Sequence, residues 1–335
     1  METDLGRWAV PLALIGGAIR ISTPFLFVSL GETITEKSGR INLGLEGTLI
    51  FGAMIAYGMA YLIGDAWAQA AINEAVAQGL PPPEVSARSY PMAAWLGVGI
   101  AALAGSMFGV VHGLICSLER VNDIAVGIAM MLFGTGLAFF FGKPFIAPAA
   151  PDLPSIPFAA WSDVSQVRDA FNVNVLFIIG IVLAVVLWWA FRNTRLGLIL
   201  RVVGDSADAA RALGYNISLV RTLATAVGGA FAGIGGAFLS LYYPGSWNEG
   251  ISSGQGLMAV ALVIFARWNP IACFWAAMLF GGTSALGPAL QAVGVTGGYY
   301  LFNAAPYILT LGLMVATSSR NRALAGAPGE LSITR

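Results

Sequence analysis

Long apolar runs, bounded by charge, proline or polar clusters, recur along the chain at the length a bilayer demands. A membrane-spanning helix needs about 20 mostly apolar residues. Seven such runs occupy residues 9–30, 43–63, 91–118, 122–141, 174–191, 219–243 and 300–318. Between the last two lies a further apolar stretch, 254–287, broken by Arg267-Trp268-Asn269-Pro270. Its first half is too short for an ordinary span and its second half is just long enough. It therefore predicts either two closely connected helices or a re-entrant hairpin, because backbone breaks at membrane depth only where protein or water satisfies it. The expected fold is all-α: a polytopic membrane helix bundle of about 8–10 transmembrane helices that includes a discontinuous or re-entrant pair. Of the intervening segments, 142–173 carries Pro144, Pro148, Pro151, Pro154 and Pro157 and predicts extended chain and turns. Segment 65–90 predicts a short separate helix from Asp65 to Gln78, stopped by Gly79 and Pro81-Pro82-Pro83.

Composition narrows the class further. Of 335 residues, 57% are hydrophobic and only 10% charged, against about 25% charged in a soluble domain. The mean hydropathy is +0.78. Equal numbers of basic and acidic residues, 17 each, argue against a basic nucleic-acid binder, and 9 Trp, 9 Tyr and 19 Phe argue against a disordered chain. Cys116 and Cys273 both sit in apolar runs and read as packing residues rather than a disulfide. The start, METDLGRW, has two acids and one Arg with no small-residue cleavage site after it, so no cleavable signal peptide is expected. The basic residues are divided unevenly between alternate loops. Eleven fall in one set (Lys37, Arg40, Arg120, Arg192, Arg195, Arg201, Arg211, Arg221, Arg320, Arg322, Arg335) and four in the other (Arg7, Arg88, Lys143, Arg168). By the positive-inside rule the first set, with the C-terminus and 192–221, faces the cytoplasm.

Candidate chemistry is sparse. Gly31 to Ser38 has the outline of a phosphate-binding loop, but Glu36 stands where a second glycine is required, so it reads as a charged turn between two helices. The only histidine, His112, has no Cys or carboxylate at ligand spacing and reads as a hydrogen-bonded core residue; no metal and no cofactor are expected. Gly105, Gly109 and Gly113, and Gly229 with Gly233, repeat at four-residue spacing, which lets helix backbones approach closely in lipid. Phe139, Phe140, Tyr242, Tyr243 and Trp247 near span ends read as an interfacial belt, with stacking on a nucleobase or sugar face the alternative. Segment Asn42-Leu43-Gly44-Leu45-Glu46-Gly47 opens the second span with a carboxylate inside the membrane. Such a charge must be paired or sit at a helix N-terminus. It either locks a break in the bundle or lines a translocation path. In the cytoplasmic stretch 194–221, Asp205 is expected to cap a short helix from Ser206 to Leu213. Asp208 falls in its first turn, Arg211 near its end and Gly214 at its stop, and Ala209, Ala210 and Leu213 form a weakly charged face suited to docking a partner.

These segments, taken in order, resemble the permease subunits of ABC importers in the branched-chain amino acid, simple sugar and nucleoside family. The resemblance covers nearly the whole chain. It rests on Gly31-Glu32 to Ser38-Gly39 with Asn42 and Gly44-Leu45-Glu46-Gly47; on Thr194-Arg195-Leu196-Gly197, Arg201, Gly204-Asp205, Ala209-Ala210 and Leu213-Gly214; on Gly229-Ala230, Ala232-Gly233 and Gly236-Ala237; and on Phe265-Ala266-Arg267-Trp268-Asn269-Pro270 with Phe280-Gly281-Gly282. The Arg-Trp-Asn-Pro and Gly-Leu-Glu-Gly elements are most similar to the nucleoside and simple-sugar branch. Asp205 stands where Glu is usual, and the outer segment 65–90 is longer than typical.

The resemblance implies a type II importer permease with residues 1–322 as the transmembrane domain, a coupling segment at about 194–221, and 323–335 as a flexible tail. It implies a non-catalytic subunit of the cell membrane that works with ABC ATPase subunits, a second permease in a heterodimer and an extracytoplasmic substrate-binding protein. Residues Asp205, Asp208, Ala209, Ala210, Arg211, Leu213 and Gly214 would couple to the ATPase. Asn42, Gly44, Leu45, Glu46, Gly47, Arg267, Trp268, Asn269 and Pro270 would form a pathway or structural motif. The competing class is an ion-coupled secondary transporter using Glu46, Arg20, Arg267 and His112 as intramembrane charges.

Overall fold

A computed structural model describes residues 9–292, 302, 304–317 and 326–333. In chain order its helices are α1 (Ala9–Lys37), α2 (Leu45–Ala77), α3 (Pro91–Ile115), α4 (Asp123–Gly142), α5 (Ser165–Ala170), α6 (Val175–Asn193), α7 (Arg195–Asp205), α8 (Ala207–Ala212), α9 (Ile217–Leu241), α10 (Gln255–Phe265), α11 (Pro270–Ala292), α12 (Ala305–Thr317) and α13 (Gly329–Ile333). Seven helices among the described residues, α1, α2, α3, α4, α6, α9 and α11, are long and apolar enough to cross a membrane. The expected all-α bundle is what the chain forms. Of the last predicted run, residues 300, 301, 303 and 318 lie outside the described residues.

Two boundaries differ from the hydropathy pattern. Helix α1 does not stop near residue 30. It continues to Lys37, so the expected charged turn 31–38 is instead mostly helix, with Glu32 and Glu36 fully buried. Polar side chains end a span only where they must reach water, and here neighbouring elements supply their partners. Helix α2 absorbs the separate short helix expected at 65–78 and runs unbroken for 33 residues. At 1.5 Å per residue that is about 50 Å, longer than a hydrocarbon core of about 30 Å is thick. Gly64 is tolerated within it because the Ala87 backbone approaches closely; a Cβ there would lie 2.7 Å from the Ala87 carbonyl oxygen.

The core is formed where α1, α2, α3, α9 and α11 pack together. Gly105, Gly109 and Gly113 of α3 meet Gly229, Thr225 and Thr222 of α9, and an added Cβ at any of the three would run into α9. Backbones this close gain the dense van der Waals contact that associates helices in lipid. Between α4 and α6, β1 (Ser155–Pro157) pairs antiparallel with β2 (Asn172–Asn174), and α5 lies between them. This small hairpin is pinned to the bundle by Arg20 of α1, which donates to the Asp169 carbonyl. The proline-rich segment thus crosses the surface as turns and short pieces. Trp247, expected in the interfacial belt, is buried against Gly142.

Candidate functional site: a capped half-helix and a cytoplasmic docking face

The chain between α1 and α2 folds back on itself. Asn42 donates its backbone N–H to the Glu32 carboxylate at 2.8 Å, so residue 42 lies beside a point more than one turn before the end of α1. The Asn42 side chain accepts from Gly44 N–H at 2.9 Å and closes the turn. Arg40, buried, reaches Asp123 at the start of α4 and Ser117 after α3, each at 3.3 Å. Helix α2 therefore begins inside the bundle rather than at its surface. Gly47 packs on Met131 and Gly134 of α4, and Cβ–backbone distances under 3 Å explain why it is glycine. Met131 is eight residues along α4 from Asp123, about 12 Å, which sets Glu46 near the middle of a core of about 30 Å.

At that depth Glu46 caps α10. Its carboxylate accepts from Ser252 Oγ (2.6 Å) and from the backbone N–H groups of Gly254 (3.1 Å), Gly256 (2.6 Å) and Leu257 (3.3 Å). The N–H groups left over at a helix start and the positive end of its dipole both favour a negative partner. Gly256 is required here, since a Cβ would sit 2.6 Å from the Glu46 carboxylate. Leu45, beside it, is a fully buried core residue. Of the two readings open for 254–287, α10 with 11 residues covers about 16 Å and cannot span alone, so it is a half-helix that begins at mid-depth.

The Arg267-Trp268-Asn269-Pro270 element turns the chain from α10 into α11. Arg267 and Trp268 take left-handed φ values of 51° and 54°. Asn269 Oδ1 accepts from Ile271 N–H at 3.1 Å, and Pro270 opens α11 where no N–H is needed. Trp268 is buried and its Nε1–H donates to Glu36 of α1, while Arg267 is exposed. The two predicted motifs thus hold the two ends of one half-helix: Glu46 its start, Trp268 its exit. Arg20, His112 and Glu46 are not brought together, and each has its own local partner: the Asp169 carbonyl, the Cys116 thiol at 3.6 Å, and the start of α10.

At the end of the bundle that carries the end of α1, α7 and α8 pack against each other. The cap of α8 is Ser206, whose Oγ accepts from Ala209 N–H at 3.2 Å; Asp205, expected in that role, is instead the last residue of α7. Both residue types cap well, so adjacent candidates could not be separated by sequence. Asp208 and Arg211 pair at 2.8 Å on the exposed face. Leu213 is 66% exposed and Gly214 follows with φ 85°. Ala209 is exposed, but Ala210 is fully buried and belongs to the packing of α8. Glu330 is a docking contact that pattern reasoning missed. From α13 it accepts from Ala207 N–H at 2.8 Å and pairs with Arg221 at 3.1 Å, so residues 326–333 of the expected flexible tail are docked on α7 and α8. Residues 323–325, 334 and 335 lie outside the described residues.

A bundle of apolar spans with a half-helix held at mid-depth and an exposed helix pair at one end defines a membrane transport permease. The chain belongs to the permease component family of branched-chain amino acid transport systems, whose family model matches residues 14–318. It is 30% identical over 278 residues to a putative glucose ABC transporter permease protein of Haloferax volcanii, covering 82% of this chain and 76% of that one. It is 28% identical over 312 residues to a guanosine ABC transporter permease protein of Bacillus subtilis, covering 90% and 89%. Similarity to a nucleoside ABC transporter permease protein of Lactococcus lactis is 26% over 276 residues, 80% of each. No solved structure matches the chain. The protein is a multi-pass, non-catalytic ABC permease subunit that acts with ATPase subunits and a second permease.

Proposed function

We propose that this permease imports nucleosides or simple sugars, delivered by an extracytoplasmic binding protein, and that it pairs with a different permease. The observation that carries the substrate class is the capped half-helix. A free helix start at mid-depth would attract an anionic solute, whereas Glu46 already occupies it and leaves a site suited to an uncharged, hydroxyl-rich solute. Relatives named for glucose, guanosine and nucleosides support this. Pairing with a non-identical permease is supported by the two guanosine permeases of Bacillus subtilis and the two nucleoside permeases of Lactococcus lactis, all similar to this chain. The N-terminus faces outward and the C-terminus lies in the cytoplasm, where the ATPase seats on α8 through Leu213, Ala209, Asp208 and Arg211.

Reconstitution of the permeases with their ATPase and binding protein tests the reading. ATP-dependent accumulation of guanosine or glucose is expected, and uptake by this chain alone on an ion gradient would overturn it. Leu213→Arg, at an exposed position, abolishes transport and solute-stimulated ATP hydrolysis while leaving the amount of protein in the membrane unchanged. Wild-type coupling in that variant would remove α8 from the interface.

A further inference from the structure

The hairpin that descends to α10 presents to the outside of the chain a face that does not suit lipid. Trp247 packs on Gly142, at the outer end of α4, and Ser252 reaches Glu46 near mid-depth. Residues 242–254 therefore travel into the membrane with neither helix nor sheet pairing. Asn248, Glu249, Gly250 and Ser253 on this descent are all exposed, and Ser253 takes a left-handed φ of 47°. Irregular backbone and polar side chains at such depth are stable only against protein or in a water-filled cavity.

Below them the exposed face of α10 continues in line. Leu257, 39% exposed, and Ile264, 53% exposed, lie seven residues apart on α10, a spacing that keeps them on one side of the helix, and Ser253 precedes the helix by two residues. Ala259, Leu262 and Val263 fill the other sides and are buried, as is Val260 beside the stripe. Exposed Arg267 ends the stripe.

We infer that Ser253, Leu257 and Ile264 form this chain's wall of the solute path: a polar cup at Ser253 and an apolar neck at Leu257 and Ile264. An uncharged solute exchanges hydrogen bonds with water for those of the cup, and the neck, which offers none, sets the barrier that must open for release. The inference rests on the permease reading and assigns path residues within it.

Single cysteines report the path, because the thiolate, which forms in water and not in hydrocarbon, attacks the sulfur of a charged methanethiosulfonate reagent, forming a mixed disulfide and releasing methanesulfinate. The native Cys116 and Cys273 are buried and give the background. In membranes holding the whole transporter, Ser253→Cys and Leu257→Cys are expected to react at least about tenfold faster than Val182→Cys, which lies among exposed Ile179, Val185 and Val186 in the middle of α6. Vanadate trapping with ATP is expected to change the Leu257→Cys rate. Labelling no faster than at Val182→Cys overturns the path assignment, and leaves the permease reading to stand on its ATP-driven uptake. Fast labelling that ignores nucleotide keeps the wall and counts against ATP-driven gating. Leu257→Cys lies in regular helix, so the test is readable even if Ser253→Cys, at a left-handed position, fails to fold.

Discussion

Glu46 has an electrostatic environment that can be dissected atom by atom. Four donors converge on its carboxylate, three of them the backbone of a helix start. Glu46→Ala leaves these donors without their acceptor in a site shielded from water, and is expected to cost about 2–4 kcal/mol. Glu46→Gln keeps one carbonyl oxygen and a similar volume but loses the charge, and is expected to cost about half as much. Thermal unfolding of the purified permease in detergent measures both; an unshifted midpoint for Glu46→Ala would show that α10 is held by packing alone. The sequence shows that a carboxylate here needs a partner, since an intramembrane charge rarely goes unpaired. It does not show which, because Ser252 to Leu257 lie more than 200 residues away. Glu32 and Glu36 illustrate the converse. Read locally, they look like a solvated turn, yet Asn42 folds back from the following turn onto Glu32, Trp268 reaches Glu36 from a distant segment, and together they allow the helix to run on.

Among the elements, those whose cause is local were legible. The six long spans from α1 to α9 follow from apolar run length, and the extended outer segment from its prolines. Elements fixed by a distant docking partner were not: α13 is five residues long, far too short to be helical on its own, and exists because Glu330 engages the start of α8 and Arg221. Both members of that ion pair are largely buried, so the contact is more than a screened surface pair. Glu330→Ala is expected to expose the first turn of α8 and to speed amide exchange at residues 207–211 severalfold, corresponding to about 1 kcal/mol of lost local stability. Hydrogen-exchange mass spectrometry of the wild-type and variant proteins measures this directly. Equal protection would mean that Ser206 and the packing of Ala210 suffice to hold α8. The same docking gives the tail a physical route to the proposed coupling surface, because the helix it contacts is the one that Leu213 follows.

For the whole molecule, the division of charge and the packing both support the proposed orientation. Arg40 and Arg221 both meet the turn after α1: Arg40 ties it to the start of α4, and Arg221 donates to the Ser38 carbonyl at 3.0 Å while holding Glu330. Lys37 lies over the Phe191 ring, at the same end of the bundle as α7. Among the described residues, Lys37, Arg40, Arg192, Arg195, Arg201, Arg211 and Arg221 are thus gathered on one end, with α8 and α13, while Arg88, Lys143 and Arg168 lie in other segments. Anionic lipid and insertion both favour the basic end inside, and only there can α8 meet an ATP-hydrolysing subunit. A green fluorescent protein fused after Arg335 is therefore expected to fluoresce, since it folds in the cytoplasm, and alkaline phosphatase fused at the same point is expected to be inactive. The opposite pair of results would put α8 outside the cell. It would then exclude the docking role of Leu213 without touching the half-helix, whose cap by Glu46 near mid-depth is the same in either orientation.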